Sequence, residues 1–441
     1  MRGVRRRLLA GCLAAAVACA AVGPVPLAAQ EAPDAAALAA ADSARTDLVQ
    51  PPGEHGTDWV DVAEFPLKVV AFPLSLVFVR LPGYVAGVLT VPRPPTFLVR
   101  AYRDMSAWGL RPGVVTQIGP RSGVGLELQF DRYAPFYASS AISFRESQRH
   151  RAGFRLSGAA GSIGAEAGWH RDAEVRFHGI GSQTRDEEDE SFYSRDYWEV
   201  GASGELQVFP VLRVDVGGAY EHNEIDDPIS SGETSLFERF VPEDLFGALE
   251  ETKYLRLDGG VTLDLTKRRE FQRRGIRLRG GGSLYEGVDD TDSDFHVLNG
   301  QAAGYLPLNG RQVLALSAEG NFARSDGGQG VPFFHLSRLG GTSSALGFSN
   351  SRFHDNDMVA LQAEWRYEVW RDIHNTLRSE FFLYFGEGAV TSDIEDLSTD
   401  DWRASFGFGA RLASLDRLLG LAFFGWSDES VHAGVRGQWP F

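Results

Sequence analysis

Apolar and polar residues alternate at every second position along most of this chain, from about residue 112 to the C-terminus. A helix cannot place residues of this spacing on one face, whereas a β-strand presents them on one side and the polar residues on the other. The last segment keeps the pattern to the end, where Trp439 and Phe441 are its final apolar positions. Segments of about ten residues with one apolar face, together with interfacial aromatic residues, are typical of transmembrane β-barrels. The sequence therefore predicts an all-β protein, a transmembrane antiparallel β-barrel.

Counting the alternating segments gives about 16 strands, with connections that sort by length. The predicted strands lie near 112–119, 122–131, 137–146, 149–158, 161–178, 192–210, 211–225, 252–266, 275–289, 294–307, 312–325, 357–371, 376–388, 401–413, 417–428 and 430–441. Even-numbered connections such as 308–311 are short, whereas the odd-numbered ones include the long stretches 223–251 and 325–356. Bacterial barrels have short periplasmic turns and longer external loops. This sorting, with an even number of strands, therefore places both chain termini on the periplasmic side. The acidic run 186–190 falls at an external connection and the basic cluster 267–274 at a periplasmic one, in agreement with this assignment.

Residues 1–29 have the composition of a secretory signal peptide. Four arginines among the first seven residues precede the apolar stretch 8–22, and small residues follow near Ala28. Both cysteines, Cys12 and Cys19, fall inside this segment, so cleavage would leave a chain that cannot form disulfides. Cys12 also ends a lipoprotein-type box, but the apolar stretch runs well past it, which favours simple cleavage over lipidation.

The next residues divide into two segments before the barrel, which we place at 96–441. Residues 30–58 are rich in Ala, Pro, Asp and Gly without periodicity, which indicates a disordered periplasmic leader. Residues 59–95 are more apolar, but three prolines interrupt them and Lys68 and Arg80 add charges. A membrane-spanning helix tolerates these features poorly, so short helical pieces on the periplasmic face or plugging the barrel are favoured.

Composition alone would suggest a soluble protein, since the mean hydropathy is −0.18. A barrel can have this value because only alternate strand residues face lipid. A soluble β-sandwich is the alternative, with equally apolar inward residues. It would need neither a signal peptide nor a terminal aromatic residue, so the barrel is preferred.

The charge balance limits which molecules the protein can bind. Removing residues 1–29 leaves 39 basic against 59 acidic residues, a net charge of −20, which argues against nucleic acid. Asp290, Asp292 and Asp294 have the spacing of a calcium loop but lack its downstream glutamate, so diffuse divalent-cation binding near lipopolysaccharide is favoured over a specific site. No cofactor and no specific metal are predicted. The predicted partners are outer-membrane lipid and lipopolysaccharide.

Several short motifs follow one another in the second half of the chain. The first group is Leu339-Gly340-Gly341, then Gly347-Phe348, then Arg352-Phe353, and the following strand carries Glu364 and Arg366. The remaining motif positions are Asp264 and Gly275 upstream, Gly407, Gly409 and Arg411 downstream, and Trp439 with the terminal Phe441. In this order they resemble the bacterial surface antigen barrel of the BamA/TamA-type outer-membrane assembly superfamily. The resemblance covers about residues 110–441.

The resemblance implies a function and a loop architecture. Residues 339–353 correspond to the family's sixth external loop, and the implied role is assisting insertion or transport of protein or lipid at the outer membrane. In this family, weak pairing between the first and last strands lets a client strand dock. Client outer-membrane proteins or a separate periplasmic module are the implied partners. Pro440 removes a backbone donor from the closing strand, although a strand that simply ends there explains it as well.

Two departures from the family pattern stand out. The family's loop-tip arginine is Leu346 here, and the lumen acid that it reaches corresponds to Gly386. Losing both members avoids an unpaired charge, so we expect the loop to fold inward by packing of Leu346 and Phe348. Restoring the pair, as Leu346→Arg with Gly386→Asp, is expected to leave stability unchanged or raise it. The second departure is that residues 30–95 cannot hold a complete periplasmic POTRA repeat, so the chain resembles the barrel-only branch.

Catalytic patterns are weak, and the sequence favours a protein that is not an enzyme. Neither a Gly-x-Ser-x-Gly elbow nor a His-Glu-x-x-His motif occurs. Ser343 and Ser344 lie near His335, His354 and Asp355 in sequence, but within the resembled loop, where the family has no nucleophile. The alternative function is a passive channel or surface receptor whose lumen is lined by residues such as Arg213, Asp215, Arg256 and Asp258.

Overall fold

The structure is a computed structural model, and it describes residues 103–437 except 116–117, 134, 185–188, 231, 267–273, 342–343, 372–376 and 415–416. The predicted signal peptide, leader and 59–95 segment lie outside the described residues, as do Trp439, Pro440 and Phe441. The strands are β1 Leu110–Val115, β2 Gly125–Phe130, β3 Phe136–Ser143, β4 Gln148–Gly158, β5 Gly161–Phe177, β6 Ser191–Phe209, β7 Leu212–Asp226, β8 Thr252–Asp264, β9 Gly275–Gly287, β10 Ser293–Pro307, β11 Gln312–Gly328, β12 Ser337–Leu339, β13 Phe353–Asp355, β14 Asp357–Arg371, β15 Leu377–Thr391, β16 Arg403–Ser414, β17 Arg417–Trp426 and β18 Val431–Gly437. Short helical pieces occupy 103–107, Leu236–Arg239, Pro242–Asp244, Phe333–His335, Ile394–Asp396 and Thr399–Asp401.

Sixteen of these strands form one antiparallel sheet in which each strand pairs with the next along the chain. The exceptions in the order are β12 and β13, a separate two-stranded hairpin within the connection between β11 and β14. The predicted all-β barrel fold of about 16 strands is confirmed. The short hairpin was not predicted, because three-residue strands carry too little periodicity to be recognised.

The barrel is not closed between the first and last strands. Among the described residues β1 pairs only with β2, and β18 pairs only with β17. β1 ends at Val115, earlier than the predicted 119, and β2 begins at Gly125 rather than 122. Pro120 lacks a backbone donor and Gly123 has a φ of +65°, so this stretch cannot continue an ordinary ladder. The first hairpin is therefore much shorter than β5 and β6, which have 17 and 19 residues.

The two faces of the sheet differ in chemistry, as the alternation predicts. Large apolar side chains are exposed at outward positions on successive strands, among them Leu126, Leu156, Val200, Leu255, Leu284, Leu298, Leu316, Leu361 and Leu383. The inner face carries charged residues that pair across strands: Arg256 on β8 lies 3.3 Å from Glu199 on β6 and 2.9 Å from Glu221 on β7. Exposed leucines outside and paired charges inside are the arrangement of a barrel surrounded by lipid. In the described part of the chain, no helix has the length and apolar character needed to span a membrane.

External loops cover one end of the sheet. The connections 227–251 and 329–356 pack over the extended ends of β5, β6 and β7. The buried members of this cluster are Val175, Phe177, Tyr193, Ile225, Leu236, Leu245, Ala248, Phe333, Phe334 and Leu336. Ser235 begins the helical turn Leu236–Arg239 and accepts a hydrogen bond from the Phe237 amide. This apolar cap fixes the start of the connection 329–356, which we call loop 6.

Candidate functional site

Loop 6 enters the barrel beside a buried carboxylate. Glu221 on β7 is 3% exposed, and Arg195 and Arg256 lie 3.2 and 2.9 Å from its oxygens. His335, at the end of the short helix Phe333–His335, places its Nε2 3.2 Å from Glu221 Oε1. Burial lowers the pKa of His335, against the opposing effect of Glu221. The two guanidinium groups offset the cost of burying the Glu221 carboxylate. The contact between His335 and Glu221 therefore holds the start of loop 6 against the inner wall.

A glycine turn then reverses the chain within the loop. Gly340 and Gly341 have φ values of +128° and +78°, a region in which residues with a Cβ are strained. The Gly340 amide donates to Ser344 Oγ at 2.9 Å. Leu339, Phe348 and Phe353 are buried together in an apolar cluster beside this turn. The Leu-Gly-Gly motif therefore forms a tight turn packed on an apolar cluster rather than an open loop.

The tip of loop 6 rests on an apolar inner wall. Leu346 is 5% exposed and packs against Phe382 and Tyr384 of β15 and Leu421 and Phe423 of β17. These four side chains make the wall at this point apolar. The loop thus folds inward and is held by packing, as expected for a chain with Leu346 in place of an arginine.

Tyr384 lies against Gly386, the position that the resemblance aligns with the family's lumen acid. Its ring lies over Gly386, where a Cβ would collide with the Tyr384 hydroxyl. The same hydroxyl donates to the Ser344 carbonyl at 2.9 Å. A tyrosine–backbone hydrogen bond and a leucine contact therefore hold loop 6 where a charge pair holds it in the family pattern. This geometry changes the prediction for Leu346→Arg with Gly386→Asp: an aspartate at 386 must displace Tyr384, so we now expect a loss of stability.

Below the loop tip, the predicted inner-face residues of β14 and β16 come together. Glu364 Oε1 accepts from Arg411 Nη2 at 2.6 Å, and its Oε2 accepts from Arg366 Nε at 2.8 Å. The Arg411 guanidinium also lies 4.7 Å from the centre of the Phe382 ring. Phe382 in turn lies over Gly409, with a ring carbon 2.7 Å from where a Cβ would be. The network joins the charged wall to the apolar wall that receives the loop.

The other predicted positions lie elsewhere. Asp264 is at the end of β8, where its carboxylate accepts from the Thr266 amide at 3.0 Å, and Gly275 begins β9 with a φ of +121°. Both belong to the periplasmic turn rather than the lumen. Gly407 lies beside Leu346, whose Cδ1 would be 3.6 Å from a Cβ there. The terminal aromatic residues are outside the described chain.

Arg352 and Phe353 lie at the exit of loop 6, where Arg352 is fully buried. Its guanidinium stacks on Phe353 at 4.4 Å and bonds to Glu429 and Thr184, in two other loops. These two partners and Tyr384 were missed by sequence reasoning. Tyr384 could have been found, because it shares strand parity with Gly386 and so faces the same side. Glu429 and Thr184 are 77 and 168 residues away, and no local signal points to them.

The arrangement brings no catalytic group together within the described residues. Ser344 Oγ bonds to the Gly340 backbone, while His335 lies against Glu221 and His354 is paired in β13 with Arg338 of β12. Ser343 lies outside the described residues. Across the described ranges, no three His, Cys, Asp or Glu side chains are grouped so that they could hold a metal ion.

Several solved structures are similar to this chain. The chain is similar to BamA from Haemophilus ducreyi lacking POTRA domains 1–3, with a TM-score of 0.52, 14% identity, and coverage of 77% of this chain and 76% of that one. It is also similar to CdiB from Escherichia coli, with a TM-score of 0.48, 14% identity, and coverage of 75% of this chain and 61% of that one. For CdiB from Acinetobacter baumannii the TM-score is 0.45, the identity 12%, and the coverage 74% of this chain and 57% of that one.

Sequence comparison identifies the family. No curated protein matches the chain. The model of the Omp85 superfamily domain matches residues 121–414, which is more than half of the chain. The protein is therefore a Gram-negative outer-membrane β-barrel that belongs to the Omp85 superfamily.

Proposed function

We propose that this protein assists the insertion or transport of protein or lipid at the outer membrane by offering the seam between β1 and β18 to a client strand. The observation that carries the proposal is the open seam. Within the described residues β1 and β18 each have one strand partner, so each presents a row of backbone donors and acceptors. Such an edge pairs readily with another extended chain.

The inner wall near the seam supports the same proposal. Loop 6 is seated against β15, β16 and β17, close to the last strand, while charged networks line the other strands. In this proposal the seated loop keeps the edge out of the lumen and leaves it facing the membrane. Outer-membrane lipid and lipopolysaccharide surround this edge in the proposal, and client barrel proteins or a separate periplasmic module are the protein partners.

Photo-crosslinking from the edge tests the proposal. A photo-reactive residue replaces Val431, which is 73% exposed at the start of β18. The matched control replaces Leu278 on β9, which is 43% exposed but lies on a strand with two partners. Nascent outer-membrane proteins should crosslink at 431 and not at 278. Equal crosslinking at both positions, or none at 431, would contradict a client-binding seam.

A passive channel is the alternative that the polar inner wall favours. Arg213 lies 3.6 Å from Glu205, and Arg256 pairs with Glu199 and Asp258, so charged groups follow the wall from one end toward the other. A channel of this kind would show a steady conductance in planar bilayers. The assembly proposal instead expects a mostly closed barrel that accelerates folding of client barrels into vesicles.

A further inference from the structure

Loop 6 contacts the last hairpin, β17 and β18 with the turn 427–430, through its backbone. A Cβ at Gly425 would collide with the Leu346 carbonyl, and a Cβ at Gly347 would collide with the Trp426 carbonyl. Ser427 Oγ, at the start of the turn, donates to the Gly347 carbonyl at 3.0 Å. The two backbones can approach this closely because glycine stands on each side of the contact.

Arg352 holds the turn of the same hairpin through a bidentate ion pair. Its Nε donates to Glu429 Oε2 at 2.8 Å and its Nη2 to Glu429 Oε1 at 2.9 Å. On the other side, Nη1 donates to Thr184 Oγ1 at 2.8 Å and Nη2 to the Thr184 carbonyl at 2.6 Å. Glu429 lies in the turn that joins β17 to β18, and its side chain is only 20% exposed. A planar guanidinium that bonds two loops at once sets both their distance and their orientation.

The last hairpin is attached to the rest of the sheet through the ladder between β16 and β17. Within the described chain β18 forms a strand ladder with β17 alone, so its position depends on how β17 and the turn 427–430 are held. The contacts hold β17 at Gly425 and the turn at Ser427 and Glu429, which are the external end of the hairpin. Releasing them would leave the edge strand attached through β17 only.

We propose that the Arg352–Glu429 pair is a latch through which loop 6 controls the mobility of the last hairpin and thereby access to the seam. The inference rests on the proposed function for its biological meaning, because a seam that binds no client needs no latch. The inference assigns Arg352 a positioning role. In the family pattern the arginine of this loop stands at the loop tip, the position of Leu346 in this chain.

The test uses the full chain in phosphatidylcholine vesicles and the variant Glu429→Gln, which keeps the shape of the side chain and removes its charge. The control is Asp428→Asn, which removes the same charge from the exposed neighbouring position of the same turn. Correct folding of each variant is checked by the heat-dependent gel mobility of the barrel. Loss of a charged hydrogen-bonded pair should raise amide exchange in β17 and β18 by roughly 10- to 100-fold over wild type, with β9 unchanged.

Two readouts separate the latch from the proposed function. If exchange in Glu429→Gln equals that in wild type and Asp428→Asn, the latch is overturned. If exchange rises but wild type and variant fold a client barrel at the same rate, the control of the seam is overturned. If wild type itself fails to fold or crosslink clients, the proposed function fails, and the exchange data still decide whether the latch exists.

Discussion

At the residue scale, Tyr384 contacts both loop 6 and Gly386, the position that the resemblance assigns to the family's lumen acid. Its hydroxyl bonds the Ser344 carbonyl at 2.9 Å while its ring covers Gly386. Tyr384→Phe keeps the ring and removes the bond, so we expect the free energy of unfolding to fall by about 1 kcal/mol. Urea unfolding in lipid vesicles measures this, with Tyr220→Phe on β7 as the control. Equal losses in both variants would show that the hydroxyl contact with loop 6 contributes nothing specific.

Restoring the family's charge pair is a second test at this scale. In Leu346→Arg with Gly386→Asp, the aspartate must push Tyr384 aside, and the arginine must enter the apolar wall formed by Phe382, Leu421 and Phe423. The new pair also bears the desolvation of two charges. We expect the double variant to be less stable than wild type by about 2 to 4 kcal/mol in urea unfolding. Adding Tyr384→Ala should recover part of the loss by making room, and a double variant as stable as wild type would contradict this account.

At the scale of elements, the strands were predictable and the loop contacts were not. The alternation is local, so β14 at Asp357–Arg371 was found with its bounds, and β7 and β8 within about two residues. The Glu364–Arg411 contact joins two motifs on β14 and β16, and strand parity predicts that both face inward. Arg352 reaches Glu429 and Thr184 through the folding of three loops, which no periodicity encodes. Periodicity likewise does not predict the contacts of Tyr193, Leu236 and the rest of the apolar cluster beneath the external loops.

The contact between loops 6 and 178–190 should depend on pH. The Gly181 amide donates to the His354 carbonyl at 2.8 Å, and His178 and His354 are both buried at this junction. Burial, with Arg352 and Arg176 nearby, lowers the pKa of His178 to about 3. Burial, with Arg338, His178 and Arg352 nearby, lowers the pKa of His354 well below its usual value.

Both histidines are therefore neutral in the closed contact and take up protons when it opens. The two neutral histidines contribute their whole stabilisation of the contact above the ordinary histidine pKa of about 6.5. This stabilisation is lost as the pH falls from there toward their lowered pKa values. Between pH 7.5 and 5 we expect a loss of about 1 to 2 kcal/mol from His178, and a further loss in the same direction from His354. The loss is seen as faster amide exchange near Gly181 after correction for intrinsic rates. His178→Gln should reduce this pH dependence, and an unchanged profile in that variant would assign it to other groups.

At the scale of the whole molecule, the sheet and the inward loop form separable parts. The ladder from β1 to β18 depends on neighbouring strands, whereas loop 6 depends on packing against an inner wall built from β15, β16 and β17. Loosening the loop should therefore open the lumen without unfolding the barrel. Gly347→Val tests this, because its side chain would collide with the Trp426 carbonyl and prevent the tip from seating. Gly280→Val is the matched control, since a Cβ at this outer-face position of β9 meets no atom within 4 Å.

We expect Gly347→Val to keep the heat-dependent gel mobility of a folded barrel and to raise single-protein conductance in planar bilayers at least several-fold. The physical reason is that the loop tip fills the space beside Phe382 and Phe423, which water and ions enter once the tip is displaced. Gly280→Val should conduct like wild type. If Gly347→Val loses the folded mobility, loop 6 is part of the barrel's stability rather than a separable part. If it folds but conducts like wild type, the cap over β5, β6 and β7 closes the lumen by itself, and the seated loop serves the seam alone.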